Sequence, residues 1–194
     1  MSAVCFFGSA SDQAPEGALA AARAFGAACA ARRWRLVYGG SRKGLMAAAA
    51  GAAMAGGGEV VGVMPRRLVD RELADPTITR LHVVDGLAER KQMMADLSDA
   101  FVALPGGVGT LDELTEMVTW HDLGVHHKPT FLANIDGFWE PLLAQLAVFR
   151  AARMLRPSVE GSLILVDDMD ALIEAVDGFL CGRPAAAAGR SVLG

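Results

Sequence analysis

Residues 100–123 read AFVALPGGVGTLDELTEMVTWHDL. The segment opens on an apolar run, Ala100 to Leu104, breaks at Pro105-Gly106-Gly107, and continues from Thr110 to Leu123 as a helix-length stretch mixing apolar and charged residues. A short apolar run stopped by turn residues reads as a strand covered on both faces, and the longer stretch behind it reads as a helix. Strand, Gly-rich turn and helix in that order form the repeating unit of a parallel sheet.

The same unit recurs on both sides of this segment. Toward the N-terminus, Val4 to Phe7 is a strand ended by Gly8-Ser9, and Pro15 to Arg33 is helical, with Leu19, Ala22, Phe25, Ala28 and Cys29 three or four apart. Arg35 to Tyr38 is a strand ended by Gly39-Gly40, Gly44 to Ala55 a helix of small residues, and Val60 to Met64 a strand ended by Pro65. Arg66 to Thr79 is polar and irregular, Leu81 to Val84 a short strand, and Leu87 to Ser98 a helix. Toward the C-terminus come a strand at Thr130 to Ala133, a helix at Phe138 to Arg150, a strand at Leu163 to Val166 and a helix at Met169 to Leu180. Neither a linker nor an internal repeat interrupts this order. It predicts an α/β fold: a single Rossmann-like, doubly wound domain over residues 1–181, with a mostly parallel sheet flanked by helices. Residues 182–194, GRPAAAAGRSVLG, are of low complexity and are expected to form a disordered tail.

Composition agrees with one globular domain and narrows its partners. The chain has 194 residues, 53% of them hydrophobic and 21% charged, which suits a packed core and excludes a disordered chain. The formal net charge of −4 argues against binding nucleic acid through bulk positive charge, but not against one small anion held locally. No apolar run approaches the ~18 residues that span a bilayer, and the start MSAVCFF lacks the basic and long apolar regions of a signal peptide. The three cysteines, Cys5, Cys29 and Cys181, are far apart with no CxxC, as in a reduced cytoplasmic protein. His82, His121, His126 and His127 have no zinc spacing, and the His126-His127 pair reads as surface.

Ligands of open α/β sheets bind beyond the carboxyl ends of the strands. Three turns there are Gly-rich: Gly8-Ser9-Ala10-Ser11, Gly39-Gly40-Ser41-Arg42-Lys43-Gly44 and Pro105-Gly106-Gly107-Val108-Gly109-Thr110. Each leads into a helix N-terminus, where free N–H groups and the helix dipole favour an anion such as phosphate. None matches a Walker A or a clean G-x-G-x-x-G sequence, which disfavours ATPase and nicotinamide chemistry. Glu113 stands three residues after Thr110, so it reads either as the partner in a capping box or as a carboxylate beside the phosphate turn. Glu116 and Trp120 follow on the same helical face. Arg90 falls on the apolar stripe of Leu87, Met93, Met94 and Leu97, where a cation needs a carboxylate or phosphate partner unless it reaches water; Lys91, about 100° around the helix, is expected to be exposed.

Taken together, these motifs resemble the Lonely Guy (LOG) family of cytokinin-activating phosphoribohydrolases, which are often mislabelled lysine decarboxylases. Leu104 to Glu113 matches its P-G-G-x-G-T-x-x-E signature, and Arg90-Lys91-Gln92-Met93-Met94 resembles its R-K-x-x-M helix start. Val37 to Met46 is similar to its V-Y-G-G-G-x-x-G-L-M segment, Phe7-Gly8-Ser9 to its C-G-S, and Arg71-Glu72 to its R-E; Thr119-Trp120 and Lys128-Pro129 also fit. The likeness spans residues 3 to 180. Ser41 and Ala47 replace glycines of the pattern, and Lys43 stands where a small or apolar residue is usual.

The resemblance implies hydrolysis of the N-glycosidic bond of an N6-substituted adenosine 5'-monophosphate to free base and ribose 5-phosphate. A general AMP nucleosidase and a non-catalytic nucleotide sensor or carrier are the alternatives. By the same resemblance Glu113 and Arg90 are catalytic. The substrate contacts would be Gly8, Ser9, Gly39, Gly40, Met46, Glu72, Arg90, Lys91, Pro105, Gly106, Gly107, Val108, Gly109, Thr110, Glu113, Glu116 and Thr119. Neither metal nor redox cofactor is implied, nor a nucleic-acid or membrane partner. A homodimer is implied, and Met117, Val118 and Trp120 are the apolar residues that would face the second copy.

Overall fold

The computed structural model describes residues 1–71, 73–182 and 190–191. The chain runs β1 (Ala3–Phe7), α1 (Glu16–Ala31), β2 (Arg35–Tyr38), α2 (Gly44–Ala55), β3 (Val60–Pro65), α3 (Arg66–Val69), β4 (Arg80–Val84) and α4 (Leu87–Asp96). It continues with β5 (Ala100–Ala103), α5 (Val108–Asp122), β6 (Thr130–Ala133), α6 (Glu140–Ala151), α7 (Pro157–Ser162), β7 (Leu163–Val166), α8 (Met169–Leu180) and β8 (Arg190–Ser191). One sheet holds the strands in the order β4-β3-β2-β1-β5-β6-β7-β8. The first seven are parallel, and β8 lies antiparallel on β7. The predicted Rossmann-like α/β fold is what the chain adopts.

Strands β1, β3, β5, β6 and β7 are buried along their whole length because helices cover both faces of the sheet there, whereas β4 at the edge, Arg80-Leu81-His82-Val83-Val84, is exposed or half-buried except at Val84. Alternate residues of β1 serve separate cores: Val4 and Phe6 pack with Phe25, Leu45 and Val176, whereas Cys5 and Phe7 pack with Met94, Leu114 and Met117. On the first side α1 and α2 touch through small residues, and a Cβ on Gly26 would lie 2.0 Å from the Ala49 carbonyl oxygen.

The structure adds detail that periodicity did not reveal. Six-residue α7 begins at Pro157 and is too short to show an apolar repeat. Residues 66–79, expected as irregular, include α3 and are tied to the turn after β2: Arg42 N donates to Leu73 O (3.0 Å), Asp75 N donates to Gly40 O (2.9 Å), and Ser41 bridges to Ala74. Of the expected tail, Arg190–Ser191 pair with Ile164 and Leu165, while residues 183–189 and 192–194 lie outside the described residues. Met117 is 1% exposed and belongs to this chain's own core, so it is not available to a second copy; Val118 and Trp120 are half-buried against the same core. No helix among the described residues is long and apolar enough to cross a membrane.

Candidate functional site

β1 and β5 are neighbours at the middle of the sheet, but β2 to β4 intervene in the chain. The turns that leave their carboxyl ends therefore diverge to opposite faces, and a crevice opens between them. That crevice is a cleft of about 380 Å³. Gly8, Ser9 and Ala10 form one edge, and Gly107, Val108, Gly109 and Thr110 form the other. Arg90 and Glu113 stand at its polar end, and Met46, Met64, Leu68 and Leu73 give it an apolar wall.

The turns are locked to each other. Leu45 N donates to Ser9 O (2.9 Å), Gly44 N donates to Asp12 Oδ1 (3.1 Å), and Ser9 N donates to Pro105 O (3.4 Å). Gly44 has φ +57, and a Cβ there would lie 2.6 Å from Ser9 O, so glycine suits both its backbone angle and its close approach.

Helix α5 starts at Val108 with Gly107 as its N-cap, and no side chain caps it. Thr110 is thus inside the first turn and does not form the capping box with Glu113 that the spacing allowed. The first N–H groups of α5 have no intrahelical partner and lie at the cleft edge, as an anion site requires. A Cβ on Gly107 or Gly109 would meet nothing within 4 Å, so this fold by itself does not require glycine at either position. A ligand approaching the backbone there would. Gly106 differs, since its Cβ would fall 2.2 Å from Thr110 Oγ1.

Arg90 reaches from α4 under the turn after β2. Its Nε donates to Val63 O (3.0 Å), one Nη donates to Gly39 O (3.0 Å), and the other Nη stands 3.6 Å from Glu113 Oε1. Both side chains of this pair are 12% exposed. Burial pushes the Glu113 carboxyl up to about 7, although the Arg90 guanidinium pulls the other way; Asp112 and Glu116 add to the rise, and Lys91 opposes it. A carboxyl that changes charge near neutrality, beside a fixed cation and below a row of free N–H groups, can accept a proton and stabilise positive charge.

Other residues implied by the family likeness stand elsewhere. Gly39 and Gly40 pack beneath the cleft against Arg90, Leu81 and Met64. Pro105 and Gly106 line an adjoining groove of about 300 Å³ that shares Ser9 and Gly107 with the cleft. Lys91, expected to be exposed, is only 13% exposed; its Nζ lies 2.9 Å from Asp112 Oδ2 and 2.7 Å from Glu116 Oε2. Desolvation works against the Lys91 charge, but these bonds outweigh it and raise its pKa. Glu116 accordingly turns to Lys91 and does not line the cleft. Thr119 donates to Thr115 O (2.7 Å) and lines a different cleft, between α5, α6 and α7. Glu72 lies outside the described residues. His126 packs on Phe101 at 5.2 Å and is half-buried, which corrects its surface reading; burial pushes its pKa down to about 4. Leu68 and Leu73 were not legible in the sequence, because two leucines in a polar stretch carry no period.

A family model described as "Possible lysine decarboxylase" matches residues 46–176. A cytokinin riboside 5'-monophosphate phosphoribohydrolase of Rhodococcoides fascians is 42% identical over 156 residues, which cover 80% of this chain and 79% of that protein. The chain belongs to the LOG family. A second LOG relative, the cytokinin riboside 5'-monophosphate phosphoribohydrolase of Mycobacterium tuberculosis (strain ATCC 25618 / H37Rv), is 47% identical over 148 residues, 76% of this chain and 79% of its own length. Among solved structures, the molybdenum cofactor carrier protein of Chlamydomonas reinhardtii superposes with a TM-score of 0.73 at 22% identity, covering 93% of this chain and 98% of that one. At that identity the likeness shows that the LOG fold is shared, and nothing about the ligand.

Proposed function

We propose that this LOG-family chain is a phosphoribohydrolase that cleaves the N-glycosidic bond of an N6-substituted adenosine 5'-monophosphate, releasing the free base and ribose 5-phosphate. The observation that carries the reading is the Arg90–Glu113 pair, 12% exposed on both sides, set at the polar end of a cleft edged by two Gly-rich turns. The turns after β1 and β5 receive the ribose 5'-phosphate through backbone N–H groups. Loss of the base leaves positive charge on the ribosyl C1' and ring oxygen. The Glu113 carboxylate stabilises that charge and takes the proton of the water that attacks C1', while the base departs with the bonding electrons and takes up a proton from solvent, to which Glu113 later returns its own. Arg90 contacts the nucleotide and orients Glu113.

The apolar wall favours an N6-substituted base over plain AMP. Met46, Met64, Leu68 and Leu73 offer an isoprenoid-like substituent a surface at which it leaves water. Among the described residues that line the cleft there is no lysine to serve a decarboxylase working through a Schiff base. We read the enzyme as a cytoplasmic homodimer. Free cysteines at positions 5, 29 and 181 support the reducing compartment, and the exposed Leu123, Val125, Phe149 and Met154 are apolar surface for a second copy.

The test is chromatographic base release from AMP and from N6-isopentenyl-AMP by the wild type and by Glu113→Gln. Release that Glu113→Gln abolishes, and that is faster from the isopentenyl nucleotide, is expected. Comparable release from both would favour a general AMP nucleosidase. Tight nucleotide binding without release of either base would overturn the hydrolase in favour of a carrier.

A further inference from the structure

Lys91 follows Arg90 in α4, and the turn of about 100° per residue sends its side chain away from the cleft toward α5. There its ammonium joins Asp112 (2.9 Å) and Glu116 (2.7 Å). These two carboxylates stand one residue before and three residues after Glu113, so all three acids share one turn of α5. Consecutive residues of α4 thus grip a single turn: Arg90 faces Glu113, and Lys91 spans its neighbours. At 13% exposure and with two carboxylates in contact, the Lys91 ammonium is not free to receive a phosphate. It is also absent from the cleft lining.

We propose that Lys91 is a positioning residue for Glu113 and not a substrate contact: it pins the first turns of α5 to α4 and offsets the fields of Asp112 and Glu116, so that Glu113 keeps its place against Arg90 and can carry its charge. Its catalytic consequence rests on the hydrolase reading above. The charged and titratable groups facing Glu113 are Arg90 and Lys91 from α4, Asp112 and Glu116 on α5, and the buried Cys5 thiol of β1. The thiol is held neutral, since burial and then Glu113 itself push its pKa up. Without Lys91, two uncompensated anions on the same turn disfavour a third.

The experiment is a direct carboxyl titration of Glu113 in the full chain, by NMR of protein carrying 13C-labelled glutamate, with Glu113→Gln identifying the signal. Lys91→Met is expected to raise the Glu113 midpoint by on the order of one pH unit. The pH profile of base release should move with it, with kcat falling more than KM rises. Lys91→Arg should retain the wild-type midpoint, and Lys91→Met/Asp112→Asn/Glu116→Gln should return to it. Asp112→Asn/Glu116→Gln, which keeps Lys91, should shift the midpoint downward and serves should Lys91→Met not fold. A folded Lys91→Met with an unmoved midpoint, or one that changes KM alone as a lost phosphate contact would, overturns the proposal; so does a midpoint that stays raised in the triple variant. If the wild type releases no base, the hydrolase reading falls on that arm, and the titration still decides the role of Lys91.

Discussion

The Arg90 guanidinium stands 3.6 Å from the Glu113 carboxylate, and its position is fixed by backbone, not by Glu113. Two of its nitrogens are held by Gly39 O, just past the end of β2, and by Val63 O within β3. The sheet itself aims a cation at Glu113, the carboxyl that burial brings to about 7. Charge placed in advance, in a site largely closed to water, costs no reorganisation when the reaction occurs.

This arrangement makes Gly39 a sharp probe. A Cβ there would fall 1.6 Å from an Arg90 Nη, so Gly39→Ala must evict the guanidinium. Base release should drop by on the order of 100-fold, as when one positioned donor is removed. Circular dichroism should show the same fold. Near wild-type turnover in a folded Gly39→Ala protein would mean that Arg90 does not act from this position.

The titration of Glu113 sets the pH dependence of both rate and stability. If the carboxylate is the working form, base release rises through a limb centred near 7, the value to which burial brings Glu113. The stability effect has the opposite sense. The folded value is above the unfolded one of 4.5, so the contribution is fully present below pH 4.5 and is lost as pH rises through about 7. The loss amounts to about 3 kcal/mol at most. Glu113→Gln has no such term, so its melting temperature should gain on the wild type between pH 5 and pH 8; a constant gap across that range would contradict a raised Glu113.

Leu73 tests the apolar wall. Replacing it by serine should raise KM for N6-isopentenyl-AMP roughly tenfold, the worth of one lost apolar contact, and leave KM for AMP within a factor of about three. Equal effects on the two nucleotides would detach the wall from the N6 substituent.

The contact between α1 and α2 predicts contrasting results at two glycines. Gly26→Ala drives a Cβ to 2.0 Å from the Ala49 carbonyl oxygen, and the helices must part, at a cost of about 3 kcal/mol by chemical denaturation. Gly51 lies in α2 with nothing within 4 Å of a new Cβ, so Gly51→Ala should stabilise by up to about 1 kcal/mol. A neutral Gly26→Ala would mean that the two helices pack more loosely than described.

Much of this molecule was legible in the chain alone. The alternation of short apolar runs with longer helical stretches determined a doubly wound sheet, because only strands covered on both faces tolerate such runs. The glycines that follow β1, β2 and β5 marked the edge where a ligand binds. The sequence also marked Arg90 as a cation in need of a partner, and that partner is a carboxylate. Tertiary structure decided where the remaining side chains point. Helical periodicity fixes the angle between Glu113 and Glu116, or between Arg90 and Lys91, but not what each direction faces. The packing of α4 on α5 turned Lys91 into the centre of a double ion pair, took Glu116 out of the cleft, and left Thr119 on another surface. The turn after β2, bridged by Ser41 to Ala74, ties down the segment that brings Leu68 and Leu73 over the site. Such contacts join residues distant in the chain, and no local pattern of apolar and polar residues encodes them.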